Sequence, residues 1–399
     1  MKIQRYYKYL LSAGAIALLA LSCSDDPNNK PVPSVPTSDR TVLVYMEANN
    51  NLGSSGFDAD DIEEMKTAAD NGDIPAGGRL LVYHHAYAEE PVLLEIKNKS
   101  VDTLAIYDTS TYSIHSERMT KVLDDVVKLG NAREYGIVFW SHGSGWLQDG
   151  ISDPIDELAT YSYGYDRSRS MNITTLARVL ETIPNLDFIY FDCCYMASVE
   201  TIYELRHCAN TIVASATEIV NTGMPYQDNV ACLFSKGKAD LENAARNTFR
   251  YYDSKTGLGR TCTMSVVQTS GLEALAHATS EIYKHSSTGI PSGYIPQRFS
   301  NISVNNCYYF DFKDYVKALS FNGDNERFDG ASDLFCNFEK IFDNVVTYSA
   351  ATPFLWNSVA LDRHNGLSSY ILKSDDAISV KNYNTLSWYR DVASNLVRK

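Results

Sequence analysis

The stretch LDFIYFDCCYM, residues 186–196, indicates the fold class and raises the question of function. Its first part is a short, mainly apolar run, which is typical of a strand buried on both faces of a sheet. The run ends in Asp192, and two adjacent cysteines, Cys193 and Cys194, follow. Reactive groups therefore stand where a buried strand leaves the core.

Similar apolar runs recur along the chain, separated by stretches with helical spacing. They are TVLVYM (41–46), RLLVYHHA (79–86), GIVFW (136–140) and TIVASA (211–216), and PVLLEI with DTLAIYD (91–96 and 102–108) predicts a hairpin. One helical stretch carries Val122 and Val126 on its apolar face and stops at Gly130. Strands that alternate with helices predict an α/β fold with a mainly parallel central sheet and helices on both faces.

The run GIVFW is followed by SHGSG, so His142 also comes directly after a buried strand. Ligands of such sheets bind beyond the carboxyl ends of the strands, where Cys193 and Cys194 are also expected. An imidazole can lower the pKa of a nearby thiol or take its proton during attack. The backbone N–H of Gly143 could stabilise an oxyanion, since glycine permits close approach. This pattern predicts nucleophilic acyl transfer.

The first 23 residues have the layout of a secretory signal peptide, with three basic residues ahead of an apolar run that is short for a membrane span. The segment LSC at 21–23 resembles the lipobox of bacterial lipoproteins, which predicts removal of residues 1–22 and lipidation of Cys23. Residues 23–39 are polar and proline-rich, as expected of a lipidated tether. We expect an exported lipoprotein of the bacterial outer membrane or cell surface; the alternative is a flexible terminus on a periplasmic protein.

Composition limits the partners. The chain has 399 residues, 44% of them hydrophobic, and a formal net charge of −14 without a Lys/Arg cluster, which argues against nucleic-acid binding. We expect a monomer that meets the membrane only through its lipid. Residues 40–250 are predicted to form the core, and residues 251–399 to continue the same domain or form a small appended subdomain.

Together these segments resemble the clostripain-like cysteine peptidases, relatives of caspases, gingipains and legumain. GIVFWSHGSGW matches the family's histidine segment at His142, and DFIYFDCCYM matches its Asp-x-Cys motif with the nucleophile at Cys194. VLVYMEANNNL resembles the family's first strand and Asp-Asn-Asn-Leu motif, with Asn49 in place of the usual Asp, and YSYGYD resembles its Phe-Gly-x-Asp segment. The resemblance covers most of the chain after Thr41 and implies a caspase-like three-layer sandwich.

The resemblance also implies an activity, that of a cysteine endopeptidase. Peptide bonds would be cleaved through a thioester on Cys194, with His142 protonating the leaving amine and then activating water. Family members prefer Arg, sometimes Lys, before the scissile bond, and Asp192 matches an acid that lines the pocket for that side chain. Glu218 is the acid that could substitute for those the family places after the fifth strand. The implied partners are peptides or proteins with basic residues.

Self-cleavage is a further implication. Several clostripain-like enzymes cut themselves between the histidine and cysteine strands, which here means the linker 147–173. Arg167 and Arg169, in the apparent loop DRSRS, are the expected cleavage sites.

No cofactor is required by this chemistry, and we predict no metal ligands. Calcium activates some clostripain-like enzymes and therefore stays open. The acidic run 58–64 fails the EF-hand template, and we interpret it as the first turn of a helix, where acidic residues complement the macrodipole. His84 and His85 lie in a strand with one imidazole on each face, and we interpret them as structural.

Alternatives remain. The chain could keep the fold but bind peptides or glycans at the cell surface without catalysis, as Asn49 and the altered segment after Ser215 would allow. The thioester could also serve transpeptidation. Cys193 could be the nucleophile, but alternation directs its side chain away from that of Cys194 and into packing. The other cysteines lack zinc-type spacing, and their disulfide pairing stays open.

Overall fold

The computed structural model describes residues 37–147, 163–167, 169–301, 304, 307–372 and 383–397. The signal peptide, the lipidation cysteine, nearly all of the tether and most of the linker 147–173 lie outside these residues. The strands are β1 (Ser38–Glu47), β2 (Gly78–His85), β3 (Val92–Lys97), β4 (Ser100–Ile106), β5 (Ala132–Trp140), β6 (Tyr163–Asp166), β7 (Arg169–Met171), β8 (Leu186–Asp192), β9 (Thr211–Ala214), β10 (Thr263–Gln268), β11 (Phe310–Asp311), β12 (Phe321–Asn322), β13 (Asn325–Glu326), β14 (Val346–Ala351), β15 (Phe354–Leu355), β16 (Val359–Ala360) and β17 (Ser368–Ser369). The helices are α1 (Asn51–Ser54), α2 (Phe57–Asn71), α3 (Ser116–Leu129), α4 (Ile173–Leu180), α5 (Val199–Glu204), α6 (Tyr226–Leu233), α7 (Leu241–Asp253), α8 (Leu272–Tyr283), α9 (Phe312–Ser320), α10 (Ala331–Val345), a π-helical turn (Tyr389–Ala393) and α11 (Ser394–Val397).

The main sheet has nine strands in the order β14-β10-β9-β8-β5-β1-β2-β3-β4. Its central strands β9, β8, β5, β1 and β2 are parallel. The pairs toward both edges are antiparallel, including the predicted β3–β4 hairpin. The predicted α/β class is therefore confirmed, with a parallel centre formed by the apolar runs.

Helices cover both faces of this sheet. In β1, Leu43 and Tyr45 enter one core, while Val42 and Val44 enter the other, as the alternation of a strand requires. Helices α3, α4, α5, α8, α9 and α10 pack in the first core, and α2, α6 and α7 pack in the second. The result is a three-layer sandwich. Strands β10 and β14, which lie beyond residue 250, extend the same sheet.

Strand β9 ends earlier than the apolar run predicted. It stops at Ala214 rather than at Ala216, because the chain turns to pair with the exit of β8. The N–H of Ala197 donates to the carbonyl of Ser215 and the N–H of Tyr195 to that of Thr217. The segment after β9 is thereby held against the cysteine pair.

The parallel strands bring chemistry-bearing residues to one edge of the sheet. Glu47 at the end of β1 is in register with His85 at the end of β2, and Trp140 at the end of β5 is in register with Asp192 at the end of β8. Among the described helices, none has the length and apolar character needed to cross a membrane.

Candidate active site

His142 and Cys194 leave neighbouring parallel strands side by side. Each follows by two residues the registered pair Trp140 and Asp192. A Cβ atom on Gly143 would lie 2.7 Å from the carbonyl oxygen of Cys194 and 2.9 Å from the Cβ of Cys193. The two strand exits are thus in backbone contact, and glycine is needed where they meet. The structure brings together the histidine, the glycine and the cysteine that the sequence singled out.

The imidazole of His142 is oriented by the turn after β1. Its Nε2 lies 2.7 Å from the Oδ1 of Asn51. Asn50 holds this turn, because its Oδ1 accepts from the N–H of Leu52 and its Nδ2 donates to the carbonyl of Tyr165. An amide oxygen only accepts, so Nε2 carries the proton in this bond and Nδ1 is the basic nitrogen. Burial lowers the pKa of His142, which favours the neutral imidazole.

The thiol of Cys194 contacts the segment after β9. Its Sγ accepts a hydrogen bond from the N–H of Ile219 at 3.3 Å. Burial raises the pKa of Cys194 to about 12, and the charges of Glu218 and Asp192 add to the increase against the opposing effect of the Ile219 N–H. The resting side chain is therefore a protonated thiol at neutral pH.

Cys193 has a different environment. It is 1% exposed, and its Sγ donates to the carbonyl of Phe139 at 3.2 Å. Burial holds its pKa well above the usual value. Alternation correctly predicted that this side chain packs in the core. The seven cysteines that the structure describes are all free thiols.

Asp192 is one member of a buried acidic pair, and Asp61 is the other. Its Oδ2 accepts from the N–H of Met224 at 2.9 Å and from the hydroxyl of Tyr226 at 3.2 Å. Burial raises the pKa of Asp192 to about 6. Asp61 of α2 accepts from the indole N–H of Trp140, and burial, together with the charge of Asp192, raises its pKa to about 9. At neutral pH this pair carries close to one negative charge, on Asp192.

Glu218 lies near Cys194, as its effect on the cysteine shows. Its carboxylate accepts a hydrogen bond from the indole N–H of Trp356. Trp356 and Asn357 form the tip of the β15–β16 hairpin, where both have positive φ angles, of 49° and 55°. Glu218 is thus beside the cysteine, but it is engaged by a tryptophan that the sequence did not point to.

Arg167 and Arg169 lie in the β6–β7 hairpin rather than in the loop that was expected. Arg167 occupies its turn, donates to Asp166 at 3.0 Å and covers the ring of Tyr112 at 4.2 Å, while the side chain of Arg169 is exposed. The N–H of Gly164 donates to the carbonyl of His142, which fastens the hairpin to the site. The pairing of Tyr163 with Met171 and of Asp166 with Arg169 places these residues in strands despite the loop-like composition of the sequence.

Three buried side chains, Glu47, His85 and Asp166, could share a metal ion. They do not fit calcium, which takes 6–8 oxygen ligands, because one of the three donors is an imidazole nitrogen. The acidic run in α2 is engaged elsewhere: Asp58 lies 2.7 Å from the Nε2 of His84, and Asp61 binds Trp140.

Sequence reasoning did not assign roles to Asn51, Asp61 or Trp356. Asn51 had a signal, because it belongs to the motif that resembles Asp-Asn-Asn-Leu. Asp61 was interpreted as part of a helix first turn, and Trp356 lies 162 residues from Cys194 in the sequence. These three side chains reach the site only through the tertiary fold.

The chain is similar to known structures. An inactive zymogen C11 protease from Parabacteroides distasonis is 30% identical, with a TM-score of 0.75 over 90% of this chain and 99% of that one. A secreted C11 cysteine protease from Bacteroides thetaiotaomicron, solved with an irreversible peptide inhibitor, is 28% identical, with a TM-score of 0.73 over 89% of this chain and 99% of that one. No curated protein sequence matched. The sequence model of the clostripain family matches residues 44–397, and the chain therefore belongs to the clostripain family of cysteine peptidases.

Proposed function

We propose that the chain is an endopeptidase that cleaves after Arg or Lys, with Cys194 as nucleophile and His142 as general acid and base. The observation that carries this proposal is the register of Trp140 with Asp192, which sets the histidine and cysteine exits next to each other. Membership of a cysteine peptidase family restricts the chemistry to a thiol. Of the two thiols at this edge, that of Cys194 is the one outside the core.

The mechanism starts from a neutral pair. Because the thiol of Cys194 is protonated at rest, its proton passes to Nδ1 of His142 as Sγ attacks the substrate carbonyl carbon. The N–H of Gly143 would stabilise the oxyanion. Nδ1 then gives the proton to the leaving amine, and a thioester forms. Water, activated by the same nitrogen, hydrolyses the thioester and restores the thiol.

The buried acidic pair supports a basic specificity. Both observed hydrogen bonds to Asp192 fall on Oδ2, so a substrate guanidinium or ammonium would approach Oδ1. A charge-assisted hydrogen bond to a desolvated carboxylate is strong, and a neutral side chain would leave that charge buried and unpaired. Because the pKa of Asp61 is raised to about 9, this neighbour adds little negative charge that would compete with Asp192 for the substrate.

The resting thiol is also consistent with a proenzyme. The pKa of the Cys194 thiol is high, and its Sγ accepts a hydrogen bond from the N–H of Ile219. The similar structure from P. distasonis is described as an inactive zymogen. Cleavage in the linker 147–173, after Arg167 or Arg169, would be the activating step. Such a cut requires the β6–β7 hairpin to open, because peptidases bind extended chains. Calcium could assist activation through groups other than the Glu47, His85 and Asp166 cluster.

The proposal includes export and anchoring by a lipid on Cys23, with the protein acting as a monomer at the cell surface. The signal-peptide pattern and the LSC segment support it, and a related C11 protease from B. thetaiotaomicron is secreted. Metabolic labelling with a radioactive fatty acid tests it: Cys23→Ala should abolish the label. Label retained in this variant would contradict the anchoring.

Fluorogenic peptides that end in Arg, Lys or Leu test the activity. Under reducing conditions, we expect cleavage after Arg or Lys, a loss of about 1,000-fold or more in Cys194→Ala and a change of less than about 10-fold in the matched Cys193→Ala variant. Equal cleavage rates in the native protein and in Cys194→Ala would overturn the assignment of Cys194 as the nucleophile. Binding without cleavage, with and without calcium and after linker proteolysis, would instead favour the non-catalytic binding protein.

A further inference from the structure

The cluster of Glu47, His85 and Asp166 joins three separate segments of the chain. Glu47 ends β1, His85 ends β2 and Asp166 ends β6, so the cluster joins the sheet edge to the β6–β7 hairpin. The three residues are 0%, 2% and 0% exposed. Two carboxylates and an imidazole are thus fully withdrawn from water in one place, which is costly unless they share a positive charge.

The ligand atoms have the spacing of a small metal site. His85 Nδ1 lies 3.1 Å from Glu47 Oε2 and 3.7 Å from Asp166 Oδ2. Two ligands of a tetrahedral ion with bonds of about 2.1 Å are separated by about 3.4 Å. The two observed distances lie on either side of that value, so an ion could be accommodated with small side-chain shifts.

The outer oxygens of both carboxylates are already fixed by protein donors. Oε1 of Glu47 accepts from the N–H of Asn49 at 2.9 Å, and Oδ1 of Asp166 accepts from Nδ2 of Asn49 at 3.1 Å and from Nε of Arg167 at 3.0 Å. Ligating carboxylates are commonly oriented in this way by a second set of hydrogen bonds. The inner oxygens Oε2 and Oδ2 are turned toward the imidazole.

Ser113 completes the surroundings of the imidazole. Its Oγ lies 2.6 Å from Nδ1 of His85, and its N–H donates to Oδ2 of Asp166 at 2.8 Å. Nδ1 can donate only one proton, yet three oxygens surround it. A divalent cation would interact with Nδ1 and with the two carboxylate oxygens. Ser113 Oγ is too close to Nδ1 to bind the same ion where it stands, and it is held by the hydroxyl of Tyr83 at 2.7 Å. A hydrogen bond from Nδ1 to one of these oxygens, without an ion, is the competing arrangement.

We propose that Glu47, His85 and Asp166 form a binding site for Zn²⁺ or a similar divalent transition-metal ion. The imidazole selects against Mg²⁺ and Ca²⁺, which prefer oxygen ligands. The ion would fasten the β6–β7 hairpin to the ends of β1 and β2. The side chain and backbone of Asn49 contact the two carboxylates, so the bound ion would also stabilise the turn that carries Asn51.

Metal binding by the full chain tests the proposal. The protein is stripped with a chelator and titrated separately with Zn²⁺ and Co²⁺. His85→Gln and Asp166→Asn remove single ligands, and His84→Gln is the matched control, because the neighbouring imidazole faces Asp58 instead. We expect the native protein and His84→Gln to take up about one equivalent more Zn²⁺ than His85→Gln or Asp166→Asn. Their melting temperatures should rise with Zn²⁺, and those of the two ligand variants should not.

Cobalt distinguishes this site from the cysteines. With Co²⁺, we expect the native protein and His84→Gln to show a visible absorption band typical of low-coordinate Co²⁺, without a thiolate charge-transfer band. This measurement does not depend on whether His85→Gln or Asp166→Asn folds. A native protein that takes up no Co²⁺, a spectrum dominated by thiolate, or equal metal content in a folded His85→Gln or Asp166→Asn variant would each overturn the proposal and leave the hydrogen-bonded arrangement without an ion.

Discussion

Nε2 of His142 lies 2.7 Å from Oδ1 of Asn51, the first residue of the short helix after β1. The histidine and the asparagine come from different strand exits, and the bond fixes both the tautomer and the direction of the ring. In the proposed mechanism Asn51 is a positioning residue, because it acts on substrate only through His142.

Loss of this acceptor should slow catalysis without weakening substrate binding. We expect Asn51→Ala to lower kcat by about 10- to 100-fold with little change in KM, since the ring would sample unproductive orientations. Asn51→Asp keeps an acceptor but adds a negative charge. This charge should raise the pKa of His142, so the acidic limb of the plot of kcat/KM against pH should move to higher pH. Identical pH profiles for the native enzyme and Asn51→Asp would show that the contact does not act on the imidazole.

The contact between the two strand exits should be intolerant of a methyl group. A Cβ at position 143 would meet the carbonyl oxygen of Cys194 at 2.7 Å, so we expect Gly143→Ala to reduce kcat/KM by about 100-fold or more and destabilise the protein by about 1–3 kcal/mol. Gly259→Ala is the matched control, because its Cβ would meet nothing closer than 3.7 Å. Steady-state kinetics and thermal melts measure both effects. A fully active Gly143→Ala enzyme would mean that the exits are farther apart in the working state.

The pKa of about 6 at Asp192 predicts how substrate affinity depends on pH. Below this value the carboxyl is protonated and loses its charge, so the affinity for a peptide ending in Arg should fall about 10-fold per pH unit. Fluorescence anisotropy with Cys194→Ala protein, which binds without cleaving, isolates this effect from the nucleophile. Asp192→Asn should bind weakly at all pH values. A pH-independent affinity in the Cys194→Ala protein would exclude Asp192 from the basic pocket.

Glu200 should make stability depend on pH. Burial raises its pKa to about 7, above the unfolded value of 4.5, although hydrogen bonds from Tyr370 and Tyr383 oppose the shift. The folded state therefore holds a proton that the unfolded state has released, so this stability is fully present below pH 4.5 and is lost as pH rises through 7. Glu200→Gln cannot titrate. Denaturant melts should show the native protein losing about 2 kcal/mol relative to Glu200→Gln between pH 5 and pH 8; parallel curves would contradict the prediction.

Much of the fold could be predicted from the sequence because its signals are local. Continuous apolar runs mark buried strands, and polar residues that follow them mark the functional edge, which is how His142 and Cys194 were paired. The end of β9 could not be predicted, because Ser215 and Thr217 are diverted by hydrogen bonds to the chain after β8.

Contacts between residues far apart in the chain could not be predicted from the sequence. Glu47, His85 and Asp166 belong to three separate segments, and only the sheet register and the hairpin bring them together. The same is true of Asp61, whose acidic neighbours in α2 favoured an interpretation as a helix first turn that complements the macrodipole. The expected loop was wrong for Arg169, which lies in β7, whereas Arg167 occupies the turn between β6 and β7.

The pairing of β5 with β8 has a consequence for how this molecule could be assembled. The two strands are adjacent in the sheet, yet the segment that joins them contains the whole interval from residue 141 to residue 185. A chain interrupted between residues 147 and 163 would keep its two pieces interlocked along this ladder, so they should migrate together under native conditions and separate only in denaturant. The protein could then be reconstituted from two co-expressed polypeptides, one carrying the histidine and the other the cysteine.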